Sequence, residues 1–103
     1  MGWNAVCRTE ELDEGAMRSF ELEGTRIVLY RIEGACYATS NVCTHAFALL
    51  SDGWLDDNVI ECPLHGAQFD VTTGRVLCGP ATVDLAAYPV REKDGFVEVE
   101  VAA

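Results

Sequence analysis

Cys43-Thr44-His45 and Cys62-Pro63-Leu64-His65 decide how this chain is read. The first is a Cys-x-His pair, the second a Cys-x-x-His pair, and Ala46 to Glu61 separates them. The chain has 2 histidines, and both fall in this pattern. Thiolate and imidazole are ligands for borderline or soft metals. An isolated Cys or His is most simply a core or surface residue. Two Cys–His pairs that use every histidine, each beside turn-forming residues, point instead to a metal site.

Spacing bears on which metal. A single zinc draws four ligands to one ion, usually through pairs spaced C-x₂₋₄-C and H-x₃₋₅-H. One intervening residue, as between Cys43 and His45, makes a tight chelate for one ion. A two-iron cluster with two Cys on one iron and two His on the other removes that difficulty. The Cys and His of one loop then serve different irons, and the second loop repeats the arrangement. A structural zinc module stays open as the second reading of these residues.

The sequence resembles the Rieske [2Fe–2S] family, and within it the small ferredoxins of aromatic-ring-hydroxylating dioxygenase systems. The matching residues are Cys43-Thr44-His45, Ser51-Asp52-Gly53, Ile60-Glu61-Cys62-Pro63-Leu64-His65-Gly66, Phe69-Asp70, Thr73-Gly74 and Gly79-Pro80. The resemblance covers essentially the whole chain. The resemblance implies a [2Fe–2S] cluster, one per chain, ligated by Cys43, His45, Cys62 and His65. It implies an electron carrier, not an enzyme, working between a flavoprotein ferredoxin reductase fed by NAD(P)H and a terminal oxygenase in aromatic hydrocarbon catabolism. The small Rieske-like subunit of an assimilatory nitrite reductase is the alternative within the same resemblance. High-potential members carry a Cys in each ligand loop that bridges the loops, and a Ser after the second loop's Gly. The corresponding positions here are Ala48, Leu64 and Ala67. The expectation is a potential toward the low end of the family's range of roughly −150 to +300 mV. The resemblance also puts the His-bound iron nearest the surface, inside an apolar rim of Ala46, Phe47, Leu64, Gly66 and Pro80. Phe47 reads equally well as core.

A chain of 103 residues makes one domain, and half of them are hydrophobic. Short apolar runs punctuated by Gly predict an all-β fold. Trp3 to Cys7 reads as a strand, followed by an acidic connection from Thr9 to Gly15. Arg18–Glu23 and Thr25–Ile32 read as a hairpin turning at Glu23-Gly24. Ile27-Val28-Leu29-Tyr30 is apolar on both faces, which predicts a central strand. Cys36–Thr39 and Val59–Glu61 are further short strands, and Ser51 to Asn58 is turn-rich. Tyr88-Pro89-Val90-Arg91 and the alternating Val97, Val99 and Val101 form a hairpin around Asp94-Gly95. Since the last strands belong with the first, the reading is a Rieske fold. It has an antiparallel sandwich or barrel-like base, 1–40 and 82–103, and a cluster-binding subdomain of about 41–81 inserted in it.

The formal net charge is −10, from 17 acidic and 7 basic residues. Nucleic acid and anionic membrane both need a cationic surface, so neither is expected as a partner. The charge suits steered docking to proteins with basic faces, with Asp52, Asp56 and Asp57 as candidate rim residues. Met1 to Val6 lacks a basic start followed by an apolar run, and no stretch reaches the length of a membrane span. A soluble cytoplasmic monomer is expected. Of 5 cysteines, Cys7, Cys36 and Cys78 fall outside the ligand pattern and are expected as reduced thiols, Cys78 packed near the cluster.

Overall fold

A computed structural model describes residues 2–44 and 47–101. Its centre is β3, Thr25–Ile32, hydrogen-bonded to β2, Met17–Leu22, on one side and β4, Ala35–Ser40, on the other. Side chains alternate across a strand, so a run that is apolar at every position must be covered on both faces. Val28, Tyr30 and Ile32 pack into one buried cluster, together with Cys43, Ile60, Cys62 and Phe69. Ile27 and Leu29 pack into a second, with Cys7, Val97 and Val99. Each fully buried aliphatic side chain contributes about 1.5–3 kcal/mol. The strand is therefore the wall between the metal-loop region and the other core.

The second core is closed by a three-stranded sheet in the order β1-β11-β10. β1 is Trp3–Arg8, β10 is Val90–Lys93 and β11 is Phe96–Glu100. Val97 and Val99 face inward as their alternation predicts, and Val101 beyond the strand is also buried. The turn at Asp94-Gly95 has positive φ at both residues, 54° and 83°. That is the backbone a two-residue hairpin requires. A register shift between Ala5 and Cys7 lets β1 continue along β11 with Cys7 buried. The acidic connection is a short 3₁₀ turn, Thr9–Glu11. Arg31 ties it down, donating to the carbonyls of Thr9 and Leu12 and pairing with Glu92 at 3.1 Å.

The third sheet has the order β5-β6-β7-β8. β5 is Trp54–Asp56, β6 Val59–Glu61, β7 Gln68–Asp70 and β8 Val76–Cys78. β5 and β8 were not apparent in the sequence, where short strands within turn-rich segments carry no periodic signal. Tyr88 to Arg91 is also not one strand. Ala87–Tyr88 forms β9 beside β4, whereas Val90 begins β10 in the other sheet. Pro89 sits at the switch; it lacks an N–H for a ladder, and its carbonyl accepts from Glu100 at 3.0 Å. Among the described residues no helix is long and apolar enough to cross a membrane.

Candidate metal centre

Cys43 and Cys62 are held by the same kind of backbone closure. Cys43 N–H donates to the carbonyl of Ala48 at 2.9 Å, and Cys62 N–H to that of Ala67 at 2.8 Å. Behind the first tip, Val42 bridges Leu49, and Leu50 N–H donates to the Asn41 carbonyl at 2.8 Å. The buried Asn41 amide closes the stem: Nδ2 donates to Ser51 Oγ at 3.0 Å and Oδ1 accepts from Ser51 N–H at 2.8 Å. Behind the second tip, Glu61 pairs with Gln68 across β6 and β7, and Gln68 Nε2 donates to Glu61 Oε1 at 3.1 Å. Gly66, with φ of 77°, completes that turn and donates to the Cys62 carbonyl.

The tips bring Cys43 and Cys62 together. Their thiols are in hydrogen-bond contact and are 4% and 1% exposed. Burial pushes the Cys62 thiol up, the backbone N–H groups of Leu64 and His65 pull it down, and neighbouring Cys43 adds to the rise. The amides mark the sulfur as a site for negative charge, which is the form that binds a metal. His65 is exposed on the second tip. The call on His45, and that on Ala46 as a rim residue, lie outside the described residues. Among the described residues no three His, Cys, Asp or Glu side chains close on one point. Two paired thiols, with His65 exposed on the same tip as Cys62, suit a group that takes its thiolates at one metal and its imidazoles at another.

A third segment leans on the first of these tips. Thr44 Oγ1 donates to the Val83 carbonyl at 2.6 Å, Val76 N–H to Asp84 Oδ1 at 2.9 Å, and Leu85 N–H to the Gly74 carbonyl at 2.7 Å. Gly79-Pro80 lies exposed within it. Two glycines permit close approaches. A Cβ on Gly53 would stand 2.0 Å from the Glu61 carbonyl oxygen, and one on Gly74 would stand 2.3 Å from that of Leu85.

The rim is apolar. Phe47 is 73% exposed, so its reading as core fails. Too few residues separate the tip from its closing bond at Ala48 for the ring to reach back inside. Leu64 and Pro80 are exposed, and Gly66 is half-exposed. Trp54, Leu77 and Val83 are exposed as well, which no local pattern signals. Nor does one signal Arg26, whose guanidinium stands 5.5 Å from the Phe47 ring centroid. Their separation along the chain leaves no local signal. Asp52 lies beside Gly53, close to the second tip, whereas Asp56 and Asp57 occupy the far end of the β5–β6 hairpin from Cys62. Cys78 is exposed, not packed, because β8 is an edge strand. Cys7 and Cys36 belong to the other core.

A β framework that brings two buried thiols together, with His65 exposed beside one of them, fits an iron–sulfur protein. The chain belongs to the Rieske [2Fe–2S] family: residues 2–89 match the Rieske [2Fe-2S] domain. Its cofactor is a [2Fe–2S] cluster. The chain is 42% identical over 100 residues to the ferredoxin component of a naphthalene 1,2-dioxygenase system from Pseudomonas aeruginosa, covering 97% of this chain and 96% of that protein. It is 45% identical over 89 residues to the ferredoxin component of the naphthalene 1,2-dioxygenase/salicylate 5-hydroxylase systems of Ralstonia sp, covering 86% of each. Among solved structures it superposes with a TM-score of 0.90 at 41% identity on a chain from a complex of reduced oxygenase and oxidized ferredoxin in carbazole 1,9a-dioxygenase. That match covers 94% of this chain and 91% of the other.

Proposed function

We propose that this chain is the ferredoxin of an aromatic-ring-hydroxylating system, taking single electrons from an NAD(P)H-dependent flavoprotein reductase and passing them to a terminal Rieske non-haem iron oxygenase. Cys43 and Cys62 would hold one iron and His45 and His65 the other. Residues of about 41–81 would act as the cluster-binding subdomain on a base made of 1–40 and 82–103. The observation that carries this is the contact between the buried Cys43 and Cys62 thiols at the ends of two matching hairpins. The relatives' names, all ferredoxin components or subunits of dioxygenase systems where they name a system, favour it over the nitrite reductase subunit and the zinc module. We place it in the cytoplasm as a soluble monomer.

When bound, the cluster supplies a one-electron redox couple. The chain's own residues prepare for it. Ala67, Phe69 and Leu50 keep water from the thiolate side, and the Leu64 and His65 amides donate to sulfur. His65 stands at the surface, where a partner can approach the imidazole side. Ala67 offers no hydroxyl to sulfur, which supports a potential low enough for a flavin donor.

The test is purification after expression with iron and sulfide. A reddish-brown protein whose reduced form gives a Rieske-type electron paramagnetic resonance spectrum, and which stimulates substrate turnover by a reductase and oxygenase pair, is expected. A colourless zinc-containing protein, or a competent cluster retained after Cys62→Ser, would sink the assignment.

A further inference from the structure

Glu61 precedes Cys62, and the alternation of β6 sends its side chain to the face opposite the buried Ile60 and Cys62. There one oxygen of its carboxylate is held by a hydrogen bond and the other lies near the turn. Oε1 accepts from Gln68 Nε2 at 3.1 Å. Oε2 stands 3.9 Å from where Gly66, the residue after His65, would carry a Cβ. Trp54 is its cross-strand neighbour on β5. The ion pairs among the described residues, Arg8–Glu10, Arg18–Glu11, Arg31–Glu92 and Arg91–Glu98, do not include Glu61. The second hairpin tip thus carries a fixed, half-exposed negative charge that no arginine offsets.

We infer that Glu61 is a tuning residue, whose charge beside the second tip opposes arrival of an electron and lowers the midpoint potential. The inference rests on Cys62 and His65 being ligands. The sign follows from electrostatics: reduction adds negative charge close to an existing one, and the half-buried position weakens solvent screening. Gln68 contributes by fixing the carboxylate over the tip instead of letting it swing into water.

Midpoint potentials of the holoprotein and its variants, read by spectroelectrochemistry at low ionic strength, decide it. Glu61→Gln should raise the reduction equilibrium constant about threefold to tenfold, or about 28 to 59 mV upward at 59 mV per tenfold for one electron. Glu61→Asp, which keeps the charge, should stay within about twofold of the parent. Trp54→Lys adds a cation opposite Glu61 without touching β6 and should shift the potential in the same direction as Glu61→Gln. The reduced-state resonance spectrum should be unchanged in all three, since a charge effect leaves the ligands alone. A midpoint in Glu61→Gln equal to or below the parent overturns the proposal. If that variant fails to hold its cluster, Trp54→Lys decides, a rise supporting the inference and an unmoved midpoint overturning it. Retention of a competent cluster in Cys62→Ser is a separate result, and it strikes the ligand assignment instead.

Discussion

The guanidinium of Arg26 stands over the ring of Phe47, 5.5 Å from its centroid, at the tip that carries the first Cys–His pair. The ring is held out in solvent by a cation from the central strand β3. A large apolar group kept exposed in this way is suited to contact a partner. Phe47→Ala should raise the ferredoxin concentration needed for half-maximal oxygenase turnover about tenfold. It should leave the cluster spectrum unchanged and cost less than about 1 kcal/mol of stability, because the ring buries little and an exposed cation–π pair contributes about 0.5–1 kcal/mol. Equal turnover at all concentrations would exclude Phe47 from docking.

Gly53 has no room for a side chain. The Glu61 carbonyl would lie 2.0 Å from its Cβ, and Pro63 Cδ 3.1 Å away. Gly53→Ala must push β6 and Cys62 aside, so it should cost about 1–3 kcal/mol or more and speed cluster loss. Gly79→Ala is the control, since nothing lies within 4 Å of its Cβ position. Thermal melting of both holoproteins makes the comparison, with only the Gly53 variant falling.

Asn41 joins four groups around the first hairpin. Its side chain holds Ser51 at both ends, its N–H reaches the Arg26 carbonyl at 2.9 Å, and its own carbonyl receives Leu50. Asn41→Ala strands a half-buried Ser51 N–H and should cost about 1–3 kcal/mol. Because the stem carries Cys43, loss of the cluster's visible absorbance to a chelator should quicken severalfold. An unchanged release rate would mean the stem does not position the ligand loop.

Long-range charge should govern encounter with partners. With a net charge of −10, raising ionic strength from about 0.01 to 0.15 M shortens the screening length from roughly 30 to 8 Å. Electron transfer to a partner with a basic docking face should slow over that range while the midpoint changes little. Stopped-flow reduction of the oxygenase at several salt concentrations measures this. A flat profile would assign docking to the apolar rim alone.

Alkaline pH should weaken the fold through its second core. Burial pushes the Cys36 thiol up to about 11 from an ordinary 9.0. The unfolded chain then gives up its proton first, so stability is fully present below about pH 9 and declines as pH rises toward 11. Burial raises Tyr30 in the same sense, with Thr39 Oγ1 2.9 Å from its hydroxyl opposing. Melting temperatures of the parent and Cys36→Ala between pH 8 and 10.5 test this. The parent should lose more across that window, and parallel curves would remove Cys36 as a contributor.

Much of this arrangement was legible because it depends on short-range rules. The alternation of Val97, Val99 and Val101, the apolar run Ile27 to Tyr30, and the turns at Glu23-Gly24 and Asp94-Gly95 each declare themselves in neighbouring residues. β5, β8 and the switch at Pro89 did not, since three-residue strands have no periodicity to display. The exposure of Phe47 was ambiguous for a related reason: an aromatic residue reads alike whether it fills a core or rims a site.

The sequence by itself determined the all-β class, the central strand and the candidate ligand set Cys43, His45, Cys62 and His65, because side-chain alternation, turn chemistry and metal preference are properties of residues and their spacing. Only the tertiary structure decided that the Cys43 and Cys62 thiols touch, that Arg26 supports Phe47, that Gln68 holds the Glu61 carboxylate at the second tip, and that Gly53 must be glycine. Each of those depends on segments distant in sequence meeting at a separation of a few ångströms. Such distances are set by how sheets pack on one another, and no local pattern in the chain records them.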